Sequence, residues 1–161
     1  MAEVIGIFLA PTHASPTVEH QEVRAVAGHG LKGDRHFNEQ GTHASDNPKP
    51  YRELTLIEME MIEKFNDEHD TNLSPGEIRR NFITRGISLN DLVDKEFTIG
   101  EVRARGMKLC EPCRHLASLT TPWVLEGLLH QGGLYAQILS GGTIKVGDAI
   151  KEVAALTAQE N

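Results

Sequence analysis

Cysteine is scarce in this chain: Cys110 and Cys113 are the only two in 161 residues. With no export signal beside them, they read as free thiols in a reducing, cytoplasmic setting. The opening segment, Met1 to Ala10, lacks the basic region of a signal peptide and carries Glu3, so it reads as a first strand. No apolar run approaches the roughly 20 residues that cross a bilayer, which argues against a membrane span. Positive charge is also in short supply. Sixteen Lys and Arg stand against 23 Asp and Glu, a formal net charge of −7. That argues against nucleic acid as a partner, because neutralising phosphates needs a basic surface. A small anionic ligand stays open, since it needs only a few local cations. Internal repeats and low-complexity tracts are absent. So are a Gly-x-Ser-x-Gly elbow, a Walker lysine-serine ending, a dinucleotide fingerprint and the His-x-x-x-His spacing of a helical metal site.

What is present is an ordinary globular composition, 39% hydrophobic and 24% charged, sized for a single domain with a buried core. The core is expected over about residues 4–150, with 152–161 as a frayed tail. Three early strands are expected: Val4 to Leu9, Glu22 to Val26, and a short one ending near Thr55. Gly28, Gly30 and Gly33 mark a tight loop that exposes its backbone. The polar stretch Asn38 to Pro50 is long for a plain connection and reads as a functional flap. A helix is expected from Leu56 to about His69, opened by a Thr55/Glu58 capping box and striped by Leu56, Met59, Ile62 and Phe65.

Ser74-Pro75-Gly76-Glu77 predicts a short turn that delivers Arg79-Arg80-Asn81 to a strand at Phe82 to Thr84. Ser88 and Asp91 predict a second capped turn, followed by strands at Glu96 to Ile99 and Glu101 to Leu109. Thr121-Pro122 opens a helix from Trp123 to about His130 that stops at Gly132-Gly133. Tyr135 to Leu139 reads as a strand, Ser140 to Thr143 as its turn, and Ile144 to Ile150 as the closing strand. Many short strands with a few inserted helices predict a β-rich, barrel-like domain, α+β by content, rather than a parallel α/β sheet.

Cys110-Glu111-Pro112-Cys113 is the densest chemical feature. Pro112 fixes the chain's direction and can project Cys113 outward. Lys108, Arg114 and His115 favour a thiolate, while Glu111 opposes it. Such a thiol serves as a nucleophile, a soft metal ligand or a sulfur carrier; a half-buried idle pair is equally compatible. Zinc is disfavoured, because no second cysteine pair completes four ligands and no spacing selects His36, His115 or His130. Lys32-Gly33-Asp34-Arg35-His36 offers backbone amides and charge to a phosphate or oxyanion, and equally a hairpin whose Asp34 caps its own turn. Arg79-Arg80 can fork onto phosphate or stand solvated. Ser140-Gly141-Gly142-Thr143 is, alone, a turn with hydroxyls. The eight histidines are scattered, and those of the first 43 residues face either one pocket or solvent.

Taken together and in order, these motifs resemble the MOSC family, named for the C-terminal domain of molybdenum cofactor sulfurase. The resemblance runs from about Val4 to Ile150. It includes Gly30 to His36, Arg52 to Ile57, Arg79 to Phe82, Phe97 to Gly100, Cys110 to Leu116 and Gly141 to Asp148. The length is similar to small bacterial stand-alone members. The resemblance implies a β-rich fold that binds molybdenum cofactor, a pterin phosphate whose dithiolene holds the metal. It implies Cys113 as the thiol that ligates molybdenum or carries persulfide sulfur, with Cys110 in an assisting role. Lys32, Gly33, Arg35, Arg80, Asn81 and Ser140, Gly141, Gly142 and Thr143 are then expected to hold the cofactor, and Asp34 and His36 to orient the pterin or relay protons. The implied partners are molybdopterin and either an external electron-transfer protein or a cofactor-dependent client enzyme. The implied activities are reduction of N-hydroxylated substrates or, without redox, sulfur carriage or cofactor delivery. A ligand-binding domain with structural thiols is the remaining reading.

Overall fold

The structure is a computed structural model and describes residues 2–37 and 52–154. The segment read as a flap, Asn38 to Pro50, and the tail beyond 154 lie outside the described residues. Among them, strands β1 (Glu3–Leu9), β2 (Val18–His20), β3 (Glu22–Val26) and β4 (Gly30–Leu31) come first. β5 (Leu54–Glu58), β6 (Phe82–Arg85), β7 (Glu96–Ile99) and β8 (Val102–Leu109) follow, then β9 (Leu134–Ser140), β10 (Gly142–Lys145) and β11 (Ile150–Glu152). Helices interrupt them, including α1 (Met59–His69), α2 (Arg114–Leu119) and α3 (Val124–Gly127). None of the helices is long and apolar enough to cross a membrane.

The strands form an eight-stranded sheet in the order β11-β7-β8-β9-β5-β6-β1-β2 and a three-stranded sheet, β10-β3-β4. Among the described strands, β5 and β6 pair in parallel and the other strand pairs are antiparallel. A parallel neighbour requires a crossover, which α1 and the short 3-10 turn Pro75–Ile78 supply. The long sheet curls until the turn ahead of β11 meets β1, where Val4 N–H donates to Asp148 O (3.0 Å) and Gly147 N–H to Val4 O (2.8 Å). β2 and β11 remain its two outer strands, so the β-rich α+β class holds while the barrel does not close.

Alternation of inward apolar and outward polar residues builds the core. Along β8, Val102 and Ala104 face in while Arg103 faces out to Glu96. One core cluster fills the curl and includes Ile7, Leu31, Leu56, Phe82, Phe97 and Ile138. A second lies under the helices, where Ile62, Phe65, Leu116, Val124 and Leu128 cover Ile57 and Ile83.

The sequence-based helix start is corrected. Residues Leu54–Glu58 form β5, and α1 begins at Met59. Leu54, Leu56 and Ile57 are fully buried, because β5 sits inside the sheet between β9 and β6. Thr55 is therefore not a helix cap. Its hydroxyl accepts the Asn81 N–H (3.0 Å) and donates to Asn81 Oδ1 (3.1 Å). Glu58 stands at the helix start without capping it and accepts the Leu89 N–H instead (3.0 Å). The helix expected over Trp123 to His130 is shorter, Val124–Gly127, and α2, immediately after the cysteines, was not anticipated. The stretch Ile144 to Ile150 is divided between two sheets, at β10 and β11.

Candidate functional site

The topology gathers several strand ends at one end of the long sheet. β1 leaves there, at Ala10, and β6 enters beside it, since Ile7 pairs with Phe82. β5 enters alongside β6 because the two run parallel. β8 leaves at Leu109 opposite Leu134, where β9 begins. The loops at these ends enclose a cleft of about 290 Å³. Its walls include His13 after β1, Asp34, Arg35 and His36 after β4, and Arg52 and Thr55 at β5. Arg79, Arg80 and Asn81 precede β6; Cys110, Glu111 and Cys113 follow β8; His115 and Leu116 come from α2 and Tyr135 from β9.

The two cysteines differ sharply. Cys110 is 4% exposed, whereas Cys113 is exposed at the head of α2. The Cys110 N–H donates to Gly133 O (2.8 Å), which sets the turn against the next strand. Two glycines make that approach possible: a Cβ on Gly132 would lie 2.5 Å from Cys110 O, and one on Gly133 2.2 Å from Leu56 O. Leu116, 2% exposed within the helical core cluster, anchors the short helix that carries Cys113.

The paired arginines are structural as well as cationic. Arg80 is buried and donates to three carbonyls: Gly132 O (2.7 Å), Ile78 O (3.2 Å) and Cys110 O (3.1 Å). It ties the entrance of β6 to the cysteine turn. Arg79 adopts a left-handed backbone (φ 65°) and donates to Ser15 O (2.7 Å) and His13 O (3.1 Å), holding the loop after β1. Burial first, then the charge of Arg35, lowers the Arg79 pKa, and Asp34 partly offsets this. Asn81 is committed to Thr55 and to Phe8 O (3.2 Å). Asp34 is buried, accepts the Ala10 N–H (3.0 Å) and lies 3.9 Å from Arg35.

Three further features shape the cleft. His13 and His115 stack with ring centroids 4.8 Å apart. Glu111 pairs with His130, Oε2 to Nδ1 at 2.8 Å, and its other oxygen accepts the His130 N–H (2.7 Å). Tyr135 hydrogen-bonds with Cys110, and its phenol is pushed up to about 12, by burial first and then by that thiol, while Arg52 and Arg80 pull it down.

Of the residues expected from sequence, Cys110, Cys113, Asp34, Arg35, His36, Arg80 and Asn81 line this cleft. Lys32 and Gly33 do not. Lys32 is exposed, and its N–H donates to Arg24 O (2.9 Å). Ser140, Gly141, Gly142 and Thr143 also lie elsewhere, at the far end of β9. There the Thr143 N–H donates to Glu101 Oε2 (2.7 Å), and Thr143 borders a separate depression with Glu22, Lys145 and Asp148. The six residue-to-residue steps of strand from Leu134 to Ser140 place them roughly 20 Å from the cysteine turn. Tyr135 carries no sequence signal for a site, Thr55 signals only a helix cap, and His13 is one of the scattered early histidines; strand register brings Thr55 and Tyr135 to the cleft, and Arg79 holds the loop that brings His13 there. Among the described residues no three His, Cys, Asp or Glu side chains converge as a metal site.

Comparison with known proteins gives two findings. Residues 33–151 match the family model of the MOSC domain. Among solved structures, the chain is similar to the YuaD protein from Bacillus subtilis, with a TM-score of 0.78 at 15% identity over 94% of each chain. It is also similar to YiiM from Geobacillus stearothermophilus, with a TM-score of 0.73 at 14% identity over 95% of this chain and 75% of that one. YiiM from Escherichia coli gives 0.66 at 16% identity over 95% and 68%. At these identities the likeness is one of fold. No match to a curated protein was found.

Proposed function

This chain belongs to the MOSC domain family, and from that premise we propose that the cysteine cleft binds molybdenum cofactor with Cys113 as the metal-ligating thiolate. The observation that carries this reading is the asymmetry of the pair: Cys113 is exposed at a cleft lined by four arginines, while Cys110 is buried in its wall. The residues present fit the group. An exposed thiolate is a soft donor suited to molybdenum. Arg35, Arg52, Arg79 and Arg80 line the cleft beside Asp34 and Glu111 and offer positive charge to a pterin phosphate. A lone protein thiol is sufficient when the cofactor's own dithiolene supplies the other sulfurs.

When bound, the cofactor supplies two-electron oxygen-removal chemistry. The turnover that suits it is reduction of an N-hydroxylated substrate, R–NHOH + 2 e⁻ + 2 H⁺ → R–NH₂ + H₂O, with electrons from a separate electron-transfer protein. This chain's own residues bind and orient. Arg80 and Gly132 fix the cysteine turn, and Asp34 fixes the loop bearing Arg35 through the Ala10 N–H. His36 and His115 stand on the cleft wall as carriers for the two protons.

The test is molybdenum and pterin analysis of protein purified from a cofactor-producing host, followed by turnover with an N-hydroxylated substrate and a reductant. Cys113→Ser should lose molybdenum and turnover, while Cys110→Ser should keep both. No metal or pterin in the wild type, under conditions that load a known molybdenum enzyme, would refute the reading. A labile extra sulfur on Cys113 by mass spectrometry, without turnover, would assign the chain to sulfur carriage instead.

A further inference from the structure

A second and larger cavity, about 570 Å³, adjoins the cysteine cleft. Three elements pass from one to the other. The loop after β1 places His13 in the cleft and Ala14 and Pro16 in the cavity; α2 places Leu116 in the first and Leu119 in the second. Arg79 belongs to both. Its guanidinium, held on Ser15 O and His13 O, forms the partition.

The two compartments have opposite character. Arg35, Arg52, Arg79 and Arg80 bias the cysteine cleft toward anions. The neighbouring cavity is lined by the apolar Phe8, Pro16, Pro75 and Leu119 and by two carboxylates, Glu19 and Glu77, with Glu77 Oε1 accepting the Ser74 N–H (2.8 Å). Leu119 is 52% exposed, so a ligand seated there would cover apolar surface now facing water. Gly76 lets the floor pack closely: a Cβ there would lie 3.1 Å from both the Phe8 ring and Thr17 Oγ1, and the Thr17 hydroxyl donates to Gly76 O (2.7 Å).

We propose that this second cavity binds a small aromatic cation and serves as the subsite for the body of the substrate, whose reactive end passes Arg79 toward Cys113. The subsite role rests on the reading of the cysteine cleft given above, whereas the binding of an aromatic cation does not. Flat rings desolvate well against proline, phenylalanine and leucine. The two carboxylates favour a cationic group on the side away from Arg79. With Glu19 and Glu77 set against the single Arg79, the cavity favours a cation over an anion, and an anion is drawn to the arginine-lined cleft.

The test uses cofactor-free protein and three probes of one shape: benzylamine (protonated at neutral pH), benzyl alcohol and benzoate. Amide shifts followed by NMR should map benzylamine to Thr17, Glu19, Gly76 and Leu119. Its affinity should exceed that of benzyl alcohol by about tenfold, the scale of two partly exposed charge contacts, with benzoate weakest. Glu19→Lys should reverse most of that preference, and Leu119→Ser should weaken all three probes at this cavity. Equal affinities for the three, or shifts confined to other surfaces, would overturn the proposed binding. In loaded protein, Leu119→Ser and Glu19→Lys should raise KM for an aromatic N-hydroxylated substrate with kcat and molybdenum content unchanged. A fall in kcat alone would overturn the subsite role. Absence of molybdenum would refute the reading of the cleft but leave the probe series to decide the cavity.

Discussion

At the scale of single residues, burial assigns different tasks to similar side chains. Glu53 is 2% exposed and lies apart from the cleft, with Oε1 accepting the Ile138 N–H at 2.8 Å. Burial raises its pKa above the ordinary 4.5; the backbone hydrogen bonds from Ile138 and Gly28 and the charge of His29 offset only part of that. Folding therefore favours the protonated form. The group's contribution to stability is greatest below about pH 4.5 and declines as pH rises through the higher folded-state value. Glu58 acts in the same sense, again through burial. Glu53→Gln keeps an acceptor for Ile138 and removes the charge. In urea unfolding from pH 4 to 7, the variant's stability should gain on the wild type as pH rises. Parallel curves across that window would show that ionised Glu53 carries no net penalty.

At the scale of elements, the cysteine turn owes its shape to two neighbours that approach it from different strands. Arg80 donates to Cys110 O and Gly132 O, so it links the ends of β6, β8 and β9. Arg80→Ala would leave those carbonyls and Ile78 O without this donor inside the protein. The cost should be roughly 3 kcal/mol or more in urea unfolding, since hydrogen bonds from a charged group contribute about 1.5–3 kcal/mol each. Arg80→Lys should recover only part of it, because an ammonium cannot reproduce the planar fork. Cys110, shielded in the wild type, should become open to alkylation in Arg80→Ala; continued protection would mean that the turn holds without the arginine. Much of this region was legible in the sequence. β3 and β7 fall at Glu22–Val26 and Glu96–Ile99 as expected, and Ser74 to Glu77 does open a short 3-10 turn. The misread element is β5. Leu54-x-Leu56-Ile57 satisfies both a strand and a helix period, and only its place inside the sheet decides between them. Tyr135 could not be assigned to the site without knowing that it lies opposite Lys108 across β8 and β9.

At the scale of the whole molecule, local charge runs against net charge. The chain carries −7 overall, yet four guanidiniums line one cleft. The family resemblance grouped Lys32, Arg35, Arg80 and Ser140 to Thr143 as phosphate holders, and glycine loops with cations or hydroxyls look alike when written linearly. Antiparallel pairing of β8 with β9 sets Ser140 to Thr143 apart from the cleft, since Leu109 faces Leu134 whereas Arg103 faces Ser140 at the other end of the same ladder, and Lys32 is exposed outside the cleft lining. The two sets therefore make distinct predictions for inorganic phosphate titrated into cofactor-free protein. Arg35→Ala and Arg52→Ala should each weaken binding about fivefold, the effect of one partly exposed charge contact of about 1 kcal/mol. Lys32→Ala and Thr143→Ala should leave it unchanged. Affinity should also fall on moving from about 50 to 200 mM salt, because the cleft opens to solvent and its charges are screened there. If Lys32→Ala or Thr143→Ala weakened phosphate as much as Arg35→Ala, the anion would be bound by the glycine loops instead, and the cleft beside Cys113 would lose its claim as the phosphate site of the proposed cofactor.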